Sequence, residues 1–165
     1  MYGRNARSVF LAGLLASTCF AAAADDLLKR GVETLQAGKT TQAVELLRRA
    51  VKADPANRDA CYTLGVAVFL ESYQALNEFR ARYGPLLREG QEMLRKSLEI
   101  DPEFGDAMLY SNLLYRIQAD IAPTGAEAAE LRAKAGALIE AARKVRGKGK
   151  PGPIPPPPPL PPPAR

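Results

Sequence analysis

The chain has 165 residues, the length of a single domain, and it contains no histidine, the commonest general base and metal ligand. Its formal net charge of +5 is concentrated at the C-terminal end, because residues 143–165 carry six basic and no acidic side chains while 25–142 carry 15 basic and 18 acidic ones. A nucleic-acid-binding domain carries its positive charge on the folded body, so this distribution argues against one.

The first 24 residues have the order of a secretory signal peptide. Two arginines precede an uncharged apolar run over 9–20, and small residues follow it. Because the run is shorter than the roughly 20 residues of a membrane-spanning helix, cleavage near Ala24 and export to the periplasm or the cell exterior are predicted. Two alternatives stay open: a retained N-terminal anchor, and a lipid anchor on Cys19, whose preceding residues depart from the usual bacterial lipoprotein pattern.

From residue 25 to about residue 146 the sequence has a helix-forming composition and lacks the alternating β-branched pattern of strands. Thr124 and Glu127 have the spacing of a capping box. The fold is therefore predicted to be all-α, with six helices in three hairpins over about 25–57, 58–104 and 105–146. The breaks between helices are set by Ala37-Gly38, Pro55, Gly84-Pro85, Pro102 and Pro123.

The three hairpins align with one another. Each second helix carries two small residues seven positions apart, with a large apolar residue four after the first: Leu47, Leu94 and Ile139. Small residues at such positions let neighbouring helices approach closely. The predicted repeat-packing residues are Gly31, Ala43, Ala50, Pro55, Gly65, Gly90, Ser97, Pro102, Ala135 and Ala142, with Asn112 at the position equivalent to Gly31 and Gly65.

These residues resemble the tetratricopeptide repeat, a helix–turn–helix unit of about 34 residues. The resemblance covers about 25–146 and implies an α-α superhelix. The second unit is about 13 residues longer than the family repeat, over roughly YQALNEFRARYGP, and the third is about 11 longer. The surplus is helical in character, an inserted loop being the alternative. The run AMLYSNLLYRIQADIA, 107–122, resembles that of secreted bacterial tetratricopeptide proteins with long helices in their later repeats.

The last segment, 147–165, contains ten prolines and is predicted to be a basic, disordered tail. Such a run cannot form helix or sheet ladders and favours polyproline II. Two functions stay open for it: a ligand for an aromatic-lined groove, or a stiff spacer.

No candidate catalytic, cofactor-binding or metal-ligating residue emerges, and the chain is predicted not to be an enzyme. Cys61, the lone cysteine after residue 24, is predicted to be a small buried hydrophobe. The stretch AGKT at 37–40 matches the end of the phosphate-binding loop motif. Glu33 occupies the position where that motif requires glycine, so the match does not indicate a nucleotide site.

The family resemblance also implies a concave groove lined by the first helix of each unit. Its almost wholly apolar positions favour an apolar helix or an extended segment as ligand. Burial of these residues in the core, and burial between two copies in a homodimer, are the alternatives. The candidate groove residues are Tyr62, Val66, Phe69, Leu109, Leu113 and Arg116.

The function predicted from these features is an interaction scaffold of the bacterial cell envelope that binds a protein partner through the concave surface. The protein is not expected to bind nucleic acid, and the mature chain is not expected to contain an integral membrane segment. Two alternatives stay open: a tether to an anionic envelope surface through the basic, proline-rich tail, and a self-associating structural protein.

Overall fold

The structure, a computed structural model, describes residues 22–75 and 84–155. The regular secondary structure in these two ranges is all helical, which confirms the all-α prediction for this part of the chain. The predicted signal peptide up to residue 21 and the tail from residue 156 onward lie outside the described residues. The helices are α1, described over 22–36, α2 Thr40–Ala53, α3 Arg58–Ala75, α4 Gly84–Ile100, α5 Gly105–Ile121 and α6 Gly125–Lys144.

Helix ends follow the polar and proline signals of the sequence. At the α2–α3 turn, the Asp54 carboxylate accepts from the backbone N–H of Ala56 at 3.1 Å, and the Asn57 side chain accepts from the N–H of Ala60 at 2.9 Å. The Thr124 hydroxyl accepts from the N–H of Glu127 at 3.2 Å, as the capping-box spacing predicts. The side-chain oxygens of Asn57 and Thr124 thus satisfy backbone donors that a helix leaves unpaired at its N-terminus, while Asp54 closes the turn before α3.

The helices form three consecutive hairpins. From α2 onward each helix packs against the next, and α3 also contacts α5. The core lies between these layers and is made of aliphatic side chains with Tyr62, Phe69, Phe104 and Tyr110. The outcome is an array of helical hairpins around one continuous apolar core.

Glycine sets the distance between the two helices of the first and second hairpins. A Cβ atom on Gly31 would lie 2.6 Å from Leu47, and one on Gly65 would lie 2.5 Å from Leu94. Both distances are below van der Waals contact, so the leucine occupies the space that a larger residue would need. When the two hairpins are aligned, the glycine of the first helix and the leucine of the second thus form the same contact in both.

The third hairpin uses a different contact at the equivalent position. The Asn112 side chain donates to the backbone carbonyl of Ala135 in α6 at 2.7 Å, within the buried interior. Ile139, which aligns with Leu47 and Leu94, is only partly buried. A hydrogen bond therefore replaces the glycine–leucine contact between α5 and α6.

Charged side chains connect the first hairpin to the second. Arg48 of α2 forms a bidentate pair with Glu89 of α4, with N–O distances of 2.8 and 2.6 Å. Paired donors on a guanidinium fix the orientation of a carboxylate. The pair thus sets the relative position of α2 and α4.

Helices of the second and third hairpins are longer than α2. It has 14 residues, whereas α3 and α4 have 18 and 17, and α5 and α6 have 17 and 20. The part of the predicted helical extension that falls on 76–83 lies outside the described residues. Over the ranges 22–75 and 84–155, none of the helices is both long and apolar enough to cross a bilayer.

Candidate functional site

Most residues predicted to line a concave groove lie inside the protein. Tyr62 and Val66 are fully buried, and Phe69 and Leu113 are also buried. All four belong to the main hydrophobic core, whereas Leu109 is partly buried and Arg116 is exposed. The structure thus brings α3 and α5 together through these side chains, in agreement with the core alternative, and Val66 and Leu113 do not form an open groove.

The chain reverses direction after α6 and returns to the helices. Gly147 and Gly149 have φ values of +79° and +76°, in the left-handed region that glycine adopts without strain. The Lys148 ammonium then lies 3.6 Å from the Glu103 carboxylate, just before α5. We call residues 148–155 the C-terminal segment. It was predicted to be part of a disordered tail, and in the structure it contacts the helical body instead.

The C-terminal segment crosses the start of α3 and α5 on a surface built around aromatic rings. The Tyr62 ring lies 4.7 Å from the Phe104 ring and 5.8 Å from the Tyr110 ring, measured between centroids. Such tilted and edge-on packing holds aromatic side chains in fixed positions. We call this surface the tail-binding face and define it by Arg58, Tyr62, Phe104, Asp106 and Tyr110.

Two tyrosine hydroxyls of the tail-binding face bind consecutive carbonyls of the C-terminal segment. Tyr62 donates to the carbonyl of Ile154, and Tyr110 donates to the carbonyl of Pro155 at 3.1 Å. Because proline has no backbone N–H, a proline-containing segment brings carbonyl acceptors but few donors to a surface. Two hydroxyl donors above an apolar floor therefore suit such a segment.

Gly152 makes the closest approach to the tail-binding face. Its N–H donates to the Asp106 carboxylate at 3.0 Å. A Cβ atom there would lie within 2.9 Å of ring carbons of both Tyr62 and Phe104. Since both rings are buried and packed, they cannot move aside for a side chain. The face accepts only glycine at this point.

Arg58 links the tail-binding face to the repeat turn. Its guanidinium lies 4.2 Å from the centre of the Phe104 ring and forms ion pairs with Asp59 at 2.6 Å and Asp101 at 2.8 Å. It also donates to the carbonyl of Lys150 at 3.2 Å. One side chain thus positions the aromatic floor, the turn between α4 and α5, and the C-terminal segment.

The environment of the two hydroxyls favours their protonated form. Burial, followed by the neighbouring Tyr110 and Asp106, raises the pKa of Tyr62 well above its usual range. Burial and then Asp106 raise the pKa of Tyr110 to about 12. Desolvation and nearby negative charge both disfavour a phenolate. Both groups therefore remain hydrogen-bond donors at neutral pH.

Alkaline pH is expected to destabilise the protein through these tyrosines. A raised pKa in the folded state contributes stability that is complete below the unfolded value of about 10 and is lost as pH rises through the folded value. The urea midpoint of the wild-type protein should fall more between about pH 8 and about pH 11 than that of a Tyr62→Phe, Tyr110→Phe variant. Equal falls in the two proteins would contradict the assignment of both hydroxyls as buried donors.

A depression of about 480 Å³ lies between α4, α5 and α6. Its lining includes Gln91, which donates to the carbonyl of Ser111 at 3.2 Å, and Gln118, which donates to that of Leu87 at 3.4 Å. These side chains hold α4 against α5. Among the described residues, no group of three or more histidine, cysteine or acidic side chains is arranged to hold a metal ion.

Sequence reasoning placed Tyr62 at a binding surface but missed Arg58, Phe104, Asp106 and Tyr110. The available signal was the four-residue spacing of Asp106 and Tyr110, which puts both on one side of α5. A further signal was the single glycine of the PGPIP run, since glycine amid prolines indicates a point of close approach.

No protein-family model matches the chain, and no curated protein matches it significantly.

Proposed function

We propose that the protein is an exported, non-enzymatic interaction scaffold of tetratricopeptide-like architecture that binds a segment of a partner protein on its tail-binding face. The observation that carries the proposal is the seating of the C-terminal segment on Tyr62, Phe104 and Tyr110, with its carbonyls bound by hydroxyls. This surface recognises backbone carbonyls and a glycine, which are features of a peptide and not of a small metabolite.

The repeat-like packing supports the tetratricopeptide part of the proposal. In both the first and second hairpins a glycine of the first helix lies against a leucine of the second, Gly31 against Leu47 and Gly65 against Leu94. Recurrence of one contact at equivalent positions is the physical sign of a repeated unit. The order of charges and apolar residues in 1–24 supports export, so the partner is expected in the periplasm or at the cell exterior.

The environment of Cys61 supports a structural role for this residue. Its thiol is the most reactive side-chain type on the described helices. The side chain is fully buried, and its Sγ lies 3.7 Å from the carbonyl of Pro55. Burial raises the pKa of the thiol. Because the thiolate is the nucleophile, a protonated, enclosed thiol suits packing at the α2–α3 turn and not catalysis.

The scaffold is favoured over a tether through the tail because the helical body engages part of the basic run. Lys148 pairs with Glu103, and the backbone of Lys150 is bound by Arg58. Both lysine side chains stay exposed, but the backbone of the run is held against the helices by Arg58 and Asp106. A tether works through a segment that extends away from the folded body, so these backbone contacts favour binding between segment and body.

In-cell crosslinking tests the scaffold proposal. A photocrosslinking residue in place of Leu109, which precedes Tyr110 of the tail-binding face, is expected to capture another exported protein, identified by mass spectrometry of the crosslinked peptide. The same residue in place of the exposed Ala137 on α6 is the control and should not capture that protein. Recovery of self-crosslinks alone would favour a homodimer and contradict the proposal.

A further inference from the structure

The contacts of the C-terminal segment are those of a bound peptide on a preformed surface. Its side chains are exposed or only partly buried, from Pro151 to Pro155. The rings that it covers are held by one another and by Phe69, whose centroid lies 5.5 Å from that of Tyr110. The floor is therefore built by the helices, and the segment adds one layer on top of it.

From these contacts we infer that residues 148–155 are a displaceable internal ligand, and that the partner segment taken by the tail-binding face carries lysine followed by Pro-Gly-Pro and an apolar residue. This inference rests on the proposed function and names the partner class of the same surface. The partner and the C-terminal segment then compete for one site.

Glycine at the centre of the pattern follows from the space available. The N–H of Gly152 is bound by Asp106 while its α-carbon faces Tyr62 and Phe104 at a distance that excludes a Cβ atom. Prolines on both sides remove the neighbouring N–H groups and leave the Gly152 N–H as the donor of this run. A competing segment needs the same order of residues to keep the Asp106 bond and the ring contact together.

The apolar residue after Pro-Gly-Pro follows from the position of Ile154. Its side chain packs against the hydrophobic core, and its carbonyl accepts from the Tyr62 hydroxyl. The residue is thus held at both its apolar and its polar end. A charged side chain at this position would lose solvation against the core without a partner.

Lysine before the prolines follows from the charge around the start of α5. Asp101, Glu103 and Asp106 lie within six residues of sequence, and Lys148 forms its ion pair with Glu103. Opposite charges across a surface favour correct orientation and faster association. A basic residue ahead of the prolines thus sets the direction in which a segment enters.

The segment is joined to α6 by a short glycine-containing turn. Gly147 and Gly149 flank Lys148, and their positive φ values are the only ones in this stretch that need glycine. A ligand on so short a linker acts at an effective concentration of the order of millimolar. A partner peptide added in trans to the wild-type protein must compete with that concentration.

Gly152→Ala provides the test, because a Cβ atom at this position cannot be accommodated and the segment must leave. The probe is a fluorescent synthetic peptide of residues 147–157, GKGKPGPIPPP. In anisotropy titrations its dissociation constant for the Gly152→Ala protein should be lower than for wild type by about tenfold or more, since the internal competitor is gone. Gly136→Ala, where a Cβ atom meets nothing within 4 Å, is the matched control and should behave as wild type.

A peptide with alanine in place of its central glycine should not bind the Gly152→Ala protein, and a Tyr62→Phe change in that protein should weaken binding of the original peptide. Unchanged helical circular dichroism shows that the variant is folded. Failure of the original peptide to bind the folded variant, or equal binding of both peptides, overturns the inference. So does a shift of the variant to a dimer, which would identify a second copy as the occupant. If a partner is crosslinked in cells although the peptide fails to bind the variant, the scaffold proposal still holds and only this inference is wrong.

Discussion

Replacement of Phe104 with alanine is expected to lower the free energy of unfolding by about 3–5 kcal/mol, the usual effect of removing a buried aromatic ring. Phe104 is 2% exposed. Its ring contacts Tyr62 on one side and the Arg58 guanidinium on another. Its loss leaves a cavity that these neighbours cannot fill, because each of them is held by other contacts.

Urea unfolding followed by circular dichroism measures this loss, and Ile100→Ala is the control. Ile100 is also a large apolar residue near the α4–α5 turn, but it is 44% exposed. Its replacement should change stability by no more than about 0.5 kcal/mol. A similar loss in both variants would mean that Phe104 is not the anchor of this turn. Proteolysis after Lys148 should be faster in Phe104→Ala, since the C-terminal segment loses part of its floor.

The number and order of the helices could be predicted from local signals. Pro55 and Pro102 cannot continue a helix, and Thr124 caps one through its own hydroxyl, so these boundaries are encoded within a few residues. The contacts of Gly31 and Gly65 were also readable, because their spacing from the leucines recurs in sequence. Features that depend on neighbours in sequence are the ones that sequence alone determines.

The tail-binding face could not be predicted because it depends on tertiary contacts. Tyr62 occupies a position that the family resemblance assigns to a groove, and whether such a residue is exposed depends on how closely α3 approaches α5. The return of the C-terminal segment depends on a reversal at Gly147 and Gly149, and two glycines beside lysines are equally typical of a flexible linker. Periodicity shows which side of a helix is apolar, but not what covers it.

At Asn112 the structure differs from the contact that the repeat pattern has at the two aligned glycines. The alignment of the three hairpins places Asn112 with two glycines, Gly31 and Gly65, that allow close helix approach. In the structure its amide reaches the carbonyl of Ala135, so the third hairpin is joined by a buried hydrogen bond. A carbonyl already within a helix can accept a second donor because it has two lone pairs, and no sequence pattern records that choice.

The second large effect is expected at the contact between Gly65 and Leu94. Gly65→Ala should destabilise the protein by about 1–3 kcal/mol through overpacking, because the new Cβ atom would lie 2.5 Å from Leu94 and 3.2 Å from the carbonyl oxygen of Gly90. Leu94→Ala should cost about 2–5 kcal/mol, since Leu94 is fully buried. Both values are measured by urea unfolding.

The double variant distinguishes direct contact from two independent defects. Removal of the leucine side chain vacates the space that the methyl group introduced by Gly65→Ala would enter, so the double variant should lose less stability than the two single changes added together, by about 0.5–3 kcal/mol. The Gly90 carbonyl limits this relief, because backbone cannot withdraw as a side chain can. Gly136→Ala, an unobstructed helical position, should instead raise stability by about 0.5–1 kcal/mol. Strict additivity of the Gly65 and Leu94 changes would show that the second hairpin is not held at the distance set by this pair.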